Sequence, residues 1–153
     1  MSNLSVIELE RPDSPDAVAL ITELEEHLAP QYPAASRHGY SVEKLIGQGV
    51  HFFVMRYEGA PVGCGGVQFF GQEYGEIKRM YVRPSFRGMG LAKLLVTHLA
   101  THTQTQGISL LRLETGIYQT EAIALYEKMG FRRVKPFGDY RETDVSLCYE
   151  KIL

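Results

Sequence analysis

The 153-residue chain has only two cysteines, no apolar run approaching bilayer length, no basic N-terminal segment followed by an apolar one, and a formal net charge of only −2. Each shortage excludes something. Cys64 and Cys148 both fall in segments that read as strands, so at most one disulfide could form, and buried free thiols in a reducing cytoplasm are expected instead. Without a bilayer-length segment, no membrane-spanning helix is expected. The N-terminal MSNLSVIELERPDSP does not read as a secretory leader. A charge so near neutrality makes no electrostatic case for nucleic acid or for an anionic membrane surface. Internal repeats, low-complexity tracts and interdomain linkers are missing too, as are a Walker-type lysine loop and a serine-centred nucleophile elbow. With 44% hydrophobic and 22% charged residues, the rest is the composition of one globular domain, residues 1–153, long enough to bury a core.

The most informative stretch is Gly75–Thr97, GEIKRMYVRPSFRGMGLAKLLVT. IKRMYV is rich in strand formers. Its apolar positions change parity between Ile77 and the pair Met80 and Val82, which predicts a β-bulge near Lys78–Arg79. Pro84 ends the strand. Arg87-Gly88-Met89-Gly90 follows, and Leu91, Leu94, Leu95 and Leu99 then recur at helical spacing. A glycine loop at a helix start offers free backbone N–H groups and the positive end of the helix dipole, so it suits an anion.

Around it the chain reads as alternating elements. Leu4–Leu9 is a strand. Ser14-Pro15-Asp16 opens a helix with an apolar face of Ala17, Ile21, Leu24 and Leu28, ended by Pro30; Glu23, Glu25 and Glu26 read as its solvated surface. Ser41 caps a short second helix to Ile46. His51–Tyr57 and Val62–Phe70 form a hairpin about Glu58-Gly59-Ala60-Pro61, and Gly63-Cys64-Gly65-Gly66 inside the second strand predicts a bulge or a close backbone approach. The long helix is expected from about Gly88 to Gln106. Leu110–Thr115 is a strand, Thr120–Met129 a helix with Gly130 at a left-handed cap, and Phe131–Val134 and Val145–Ile152 are the last strands. This is an α+β domain: a mixed sheet of six to seven strands flanked by about four helices.

Arg87-Gly88-Met89-Gly90-Leu91-Ala92 resembles the Arg/Gln-x-x-Gly-x-Gly/Ala signature of the GNAT superfamily of N-acetyltransferases. Gln119-x-x-Ala122-x-x-x-Tyr126-x-x-x-Gly130-Phe131 is similar to the family's second block, in the expected order and separation. The resemblance is good over roughly residues 50–133 and loose at both ends. It implies a splayed central strand pair, here Glu76–Val82 and Leu110–Thr115, with acetyl-CoA, the acetyl donor, in the resulting cleft. It also implies cofactor contacts from Met80, Tyr81 and Val82, from Arg87, Gly88, Met89, Gly90, Leu91, Ala92 and Lys93 at the pyrophosphate, and from Gln119, Ala122 and Tyr126. Where this chain has Gln119 the family commonly has Asn, one methylene shorter.

For catalysis the resemblance implies Glu76 as general base, directly or through water, and Tyr126 as the group facing the cofactor sulfur. A carboxylate of ordinary acidity is a poor base for an ammonium, so the first role requires burial. The plainer alternatives are an ion pair for Glu76 and core packing for Tyr126. A non-catalytic acyl-CoA-binding or interaction module is the alternative to an enzyme. His98 and His102 stand four apart on the long helix, but no third ligand accompanies them and no metal is expected. The acceptor amine stays open. Tyr32, Tyr40, Tyr118 and Tyr140 are candidates for its mouth, and a homodimer is compatible with the family.

Overall fold

A computed structural model describes residues 4–153. Seven strands form one sheet in the order β1-β2-β3-β4-β5-β7-β6. They are β1 Ser5–Leu9, β2 His51–Tyr57, β3 Ala60–Phe70, β4 Tyr74–Val82, β5 Leu110–Gly116, β6 Arg132–Val134 and β7 Ser146–Ile152. The helices are α1 Pro15–Leu28, α2 Val42–Gly47, α3 Leu91–Thr105 and α4 Thr120–Lys128. The expected order and fold class hold. Two short 3₁₀ turns, Ala34–Ser36 and Pro84–Phe86, were not legible in the sequence.

Strand alternation sends side chains to two cores. Phe52 and Val54 pack with Ala17, Leu20, Leu24 and Leu45 under α1 and α2. Phe53 packs on the other face with Val96, Leu99, Leu111, Leu113 and Tyr126 under α3 and α4. The glycine run of β3 marks close approach: a Cβ on Gly63 would lie 2.8 Å from the Tyr81 carbonyl oxygen. It also faces the predicted bulge. Cys64 pairs with Tyr81 and Gly66 with Lys78, so Gly65 alone opposes Arg79 and Met80, and Arg79 takes φ 54°. Both cysteines are buried free thiols.

β4 and β5 run parallel and pair only at Gly75–Leu111 and Glu76–Arg112. Beyond that they part, as the resemblance implied. The long helix begins at Leu91, not Gly88, because Gly88 and Gly90 hold φ 81° and 79°, outside helical geometry.

Helix α4 ends in a Schellman arrangement. Gly130 (φ 96°) donates to the Glu127 carbonyl at 3.1 Å, and the Phe131 N–H to the Tyr126 carbonyl at 3.0 Å. The cap brings the Phe131 ring to 5.5 Å from that of Tyr126 and fixes the latter's place in the core.

The histidines of α3 face the sheet. His102 Nε2 lies 2.8 Å from His51 Nδ1, and the His98 ring meets Phe53 edge-on at 4.8 Å. Burial depresses the pKa of both His98 and His102, with repulsion from His51 and His98 adding at His102. Below about pH 6.5 the unfolded chain therefore binds protons that the folded one resists, and stability falls with pH until the folded pKa is passed. Urea unfolding from pH 7.5 to 5.5 should show this loss, and His102→Gln should flatten the slope. Identical slopes in the two proteins would contradict it.

Candidate active site

The loop after β4 leaves its backbone open beside a helix start. The Pro84–Phe86 turn carries Arg87, whose Nε donates to the Val82 carbonyl at 3.1 Å. Gly90 caps α3 in the left-handed conformation without a side-chain bond, and the Leu94 N–H makes a backbone bond to the Gly90 carbonyl at 3.2 Å. The N–H groups of Leu91, Ala92 and Lys93 precede the helical ladder and have no acceptor within it. Around Gly88 and Gly90 a Cβ would meet nothing within 4 Å, so a ligand can approach that backbone directly. A cleft of about 390 Å³ opens there. Met80, Tyr81 and Val82 of β4, the loop from Arg87 to Lys93, and Gln119, Ala122 and Tyr126 beside α4 all line it. Met89 is the one expected contact outside the lining; its side chain is 46% exposed.

A second cavity, of about 140 Å³, is lined by both strands of the splay. Leu24, Met80, Gln119, Ala122 and Tyr126 line both spaces, so the two adjoin. Tyr126 is only 4% exposed, and its hydroxyl makes no hydrogen bond to any of the described residues. Burial pushes its pKa up, which keeps it a neutral donor.

Glu76 is 2% exposed and lines neither space. Its Oε2 accepts from Lys78 Nζ at 2.8 Å and from the Tyr140 hydroxyl at 2.5 Å. Lys78 also lies 4.1 Å over the Tyr40 ring. The ion-pair alternative is thus the geometry found for Glu76. The Phe137 turn delivers Tyr140: Phe137 is buried against Tyr74, and the Tyr140 N–H donates to its carbonyl at 3.1 Å.

Glu114, near the end of β5, does face the smaller cavity, as does Glu25 of α1. The Ser146 hydroxyl donates to Glu114 at 2.7 Å. Burial pushes its pKa up; that bond and the charges of His38 and Lys78 oppose the shift, while Glu76 reinforces it. Parity could have found it, because Leu111 and Leu113 point into the α3/α4 core and Glu114 must point the other way.

One expectation needs correction. Glu23 and Glu25 are not a merely solvated face. Glu23 holds Arg83 at 2.7 Å, and Glu25 holds Arg79 at 2.6 Å and Arg37 at 2.9 Å, which keeps both carboxyls below their usual pKa. Glu26 stays exposed. Gln119 is engaged within the protein: its Nε2 donates to Gln31 at 2.8 Å and to the Tyr32 hydroxyl at 3.2 Å. Tyr32, Tyr40 and Tyr140 line the smaller cavity, and Tyr118 the larger.

A splayed parallel pair with a glycine-rich helix start at its mouth defines an acyl-CoA-type transferase fold. Residues 19–131 match the profile of the acetyltransferase (GNAT) family. An IAA acetyltransferase of Azospirillum brasilense is 39% identical over 154 residues, spanning 100% of both chains. A Klebsiella pneumoniae structure provisionally named an acyl-CoA N-acyltransferase superposes with TM-score 0.83 at 30% identity, covering 98% of each chain. A GNAT family acetyltransferase of Elizabethkingia anophelis, solved with acetyl-CoA bound, shares the fold with TM-score 0.73 at 17% identity, over 99% of this chain and 100% of its own. The chain belongs to the GNAT superfamily of N-acetyltransferases.

Within this site Glu76 and Lys78 neutralise each other with side chains 3% and 6% exposed. Removing one charge strands the other in low dielectric. Glu76→Gln should lower the unfolding free energy by about 3–5 kcal/mol, as measured by urea denaturation. A loss under about 1 kcal/mol, the level of an exposed pair, would contradict this.

Proposed function

We propose that the protein moves an acetyl group from acetyl-CoA to a primary amine by direct attack, with both substrates bound together. The observation that carries this is the meeting of two cavities at Tyr126, one lined by the glycine loop and one by Glu114. Acetyl-CoA, when bound, supplies an activated acyl group on sulfur. The chain's residues fit it: the open backbone at Gly88 and Gly90, the orphan N–H groups of α3 and the Arg87 guanidinium suit a diphosphate.

The remaining work falls to two side chains. Glu114 accepts the proton that the amine must lose, and its raised pKa makes it a better base than an exposed carboxylate. Tyr126 holds a proton for the sulfur as the carbon–sulfur bond breaks. Glu76 acts behind the site by holding Lys78 and Tyr140 in place. The reading includes a cytoplasmic location, supported by the two free thiols; among the described residues no helix is long and apolar enough to cross a membrane.

Release of CoA thiol with a panel of amines tests the proposal. Turnover supports it. Acetyl-CoA binding without turnover on any amine would make the protein a binding module. Three variants test the roles. Tyr126→Phe should lower kcat by about ten- to a thousandfold where thiolate departure limits the rate, and leave the acetyl-CoA Kd nearly unchanged. Glu114→Gln should lower kcat/KM about a hundredfold and remove the acid limb of its pH profile, since the active form is the carboxylate and activity falls as pH drops through the raised pKa. Gly90→Val should weaken acetyl-CoA binding by about tenfold or more. Gly90→Asn, which tolerates φ near +60°, separates loss of the helix start from obstruction. Unchanged affinity in a folded Gly90→Val would remove the loop from the site.

A further inference from the structure

Resting on the acceptor role given above to the smaller cavity, we propose that its acceptor is a small amino acid. The amine would sit at Glu114 and Tyr126, and the carboxylate at the Arg37–Arg79 pair.

Charge is unevenly placed around the cavity. Five charged side chains line or directly back it outside Glu114 and His38, namely Glu25, Arg37, Lys78, Arg79 and Glu76, and they do not cancel evenly. Lys78 is matched by Glu76 at 2.8 Å. Arg37 and Arg79, by contrast, share one carboxylate. Glu25 Oε1 takes Arg79 Nη2 at 2.6 Å, and its Oε2 takes Arg37 Nη1 at 2.9 Å. Both oxygens of Glu25 are thereby engaged, and one positive charge is left over there. His38, in the same lining and edge-on to the Tyr140 ring at 5.3 Å, adds a further donor. Glu114 lines the same cavity, and the charges that act on it are those of His38, Glu76 and Lys78, not those of the arginine pair. The cavity therefore carries an excess cation and a separate carboxyl, the complement of a molecule that bears an ammonium and a carboxylate.

Geometry points the same way. Arg79 has the left-handed φ of the bulge, its side chain is only 5% exposed, and it lines the cavity. Its Nε is held by the Tyr40 carbonyl at 2.9 Å. A Cβ on Gly39 would fall 2.2 Å from Arg79 Nη1, so the guanidinium occupies room that only glycine leaves. Arg37 Nε is buried without a partner, which leaves that guanidinium with unmet donor capacity. A ligand carboxylate would supply charge-assisted bonds to this pair. Size adds a limit. A cavity of about 140 Å³ is close to one of roughly 150 Å³ that accepts benzene, so it suits a single small amino acid.

The plainer alternative is a clasp: Arg37–Glu25–Arg79 would only fasten the loop after α1 to the sheet. Matched acceptors separate the two readings. Thiol release from acetyl-CoA is measured with glycine, L-alanine, L-serine, L-methionine and L-phenylalanine, each beside its primary amide. Acid and amide have nearly the same size and differ in the carboxylate. The amide amine is the less basic and more of it is neutral at the assay pH, so preference for the acid runs against intrinsic reactivity. The preferred acid should exceed its amide in kcat/KM by about tenfold or more, the effect of one charge-assisted contact. Arg37→Gln should shrink that ratio toward one, and Arg37→Lys should restore part of it, mainly through KM. Binding of the same acids to the CoA-saturated protein, by isothermal titration, gives a readout independent of turnover.

Acid and amide turned over equally, an amide preference, or equal loss on both in Arg37→Gln would overturn the proposal and leave the acetyltransferase reading standing. Saturable binding of an acid but not its amide, with no thiol released from any acceptor, would support the carboxylate site and overturn the transfer reaction. Turnover and saturable binding absent for all the acids would overturn the proposal.

Discussion

Everything in this site depends on the parting of β4 from β5. Two parallel strands that begin side by side stay hydrogen-bonded unless something turns one of them away. Here the turn is the bulge at Arg79 and Met80, where an extra residue raises the local twist and leaves β4 free of β5 after Glu76. The freed edge would expose unpaired backbone groups in the middle of a sheet, an arrangement that is costly when buried and dry. A ligand lying in the gap can satisfy them. The same bulge swings Arg79 into the smaller cavity, so one backbone irregularity opens the site and equips it.

The charges around the gap follow from low dielectric. A lone buried ammonium or carboxylate is expensive, whereas a hydrogen-bonded pair is tolerable. Lys78 and Glu76 meet this demand between themselves, with Tyr140 as a third member. Glu114 meets it differently. It accepts from the Ser146 hydroxyl at 2.7 Å and forms no ion pair among the described residues, and burial favours its neutral form. Two carboxyls on neighbouring strands thus sit in different surroundings, one in an ion pair and one bordering a cavity. Tyr126 lies where the two spaces adjoin: the Schellman cap and the Phe131 ring hold it, and its hydroxyl makes no hydrogen bond to the described residues.

Much of this was legible in the sequence, and for local reasons. The bulge showed as a break in alternation between Ile77 and Met80. The glycine loop showed because glycine is the residue that most readily takes the φ values of residues 88 and 90. The cap at Gly130 and the helix face of Ala122 and Tyr126 are short-range patterns. The roles that depend on contacts far apart in sequence were not legible. Glu76 and Lys78 are two apart, yet Tyr140, which completes their network, is 64 residues beyond Glu76. Gln119 is tied up by Gln31 across 88 residues. Glu25 resembles a surface acid until the fold brings Arg79 to it across 54 residues. Glu114 was hidden because strand parity says which face a residue takes but not that the face borders a cavity.

The central claim is that the acetyl group passes directly between two substrates held in adjoining spaces at Tyr126. Initial velocities with acetyl-CoA and an active amine both varied, together with the intact mass of the protein incubated with acetyl-CoA alone, test it most directly. The account predicts intersecting double-reciprocal lines and an unmodified protein mass. Parallel lines with a stably acetylated protein that passes its acetyl group to the amine would mean a covalent intermediate and would contradict it.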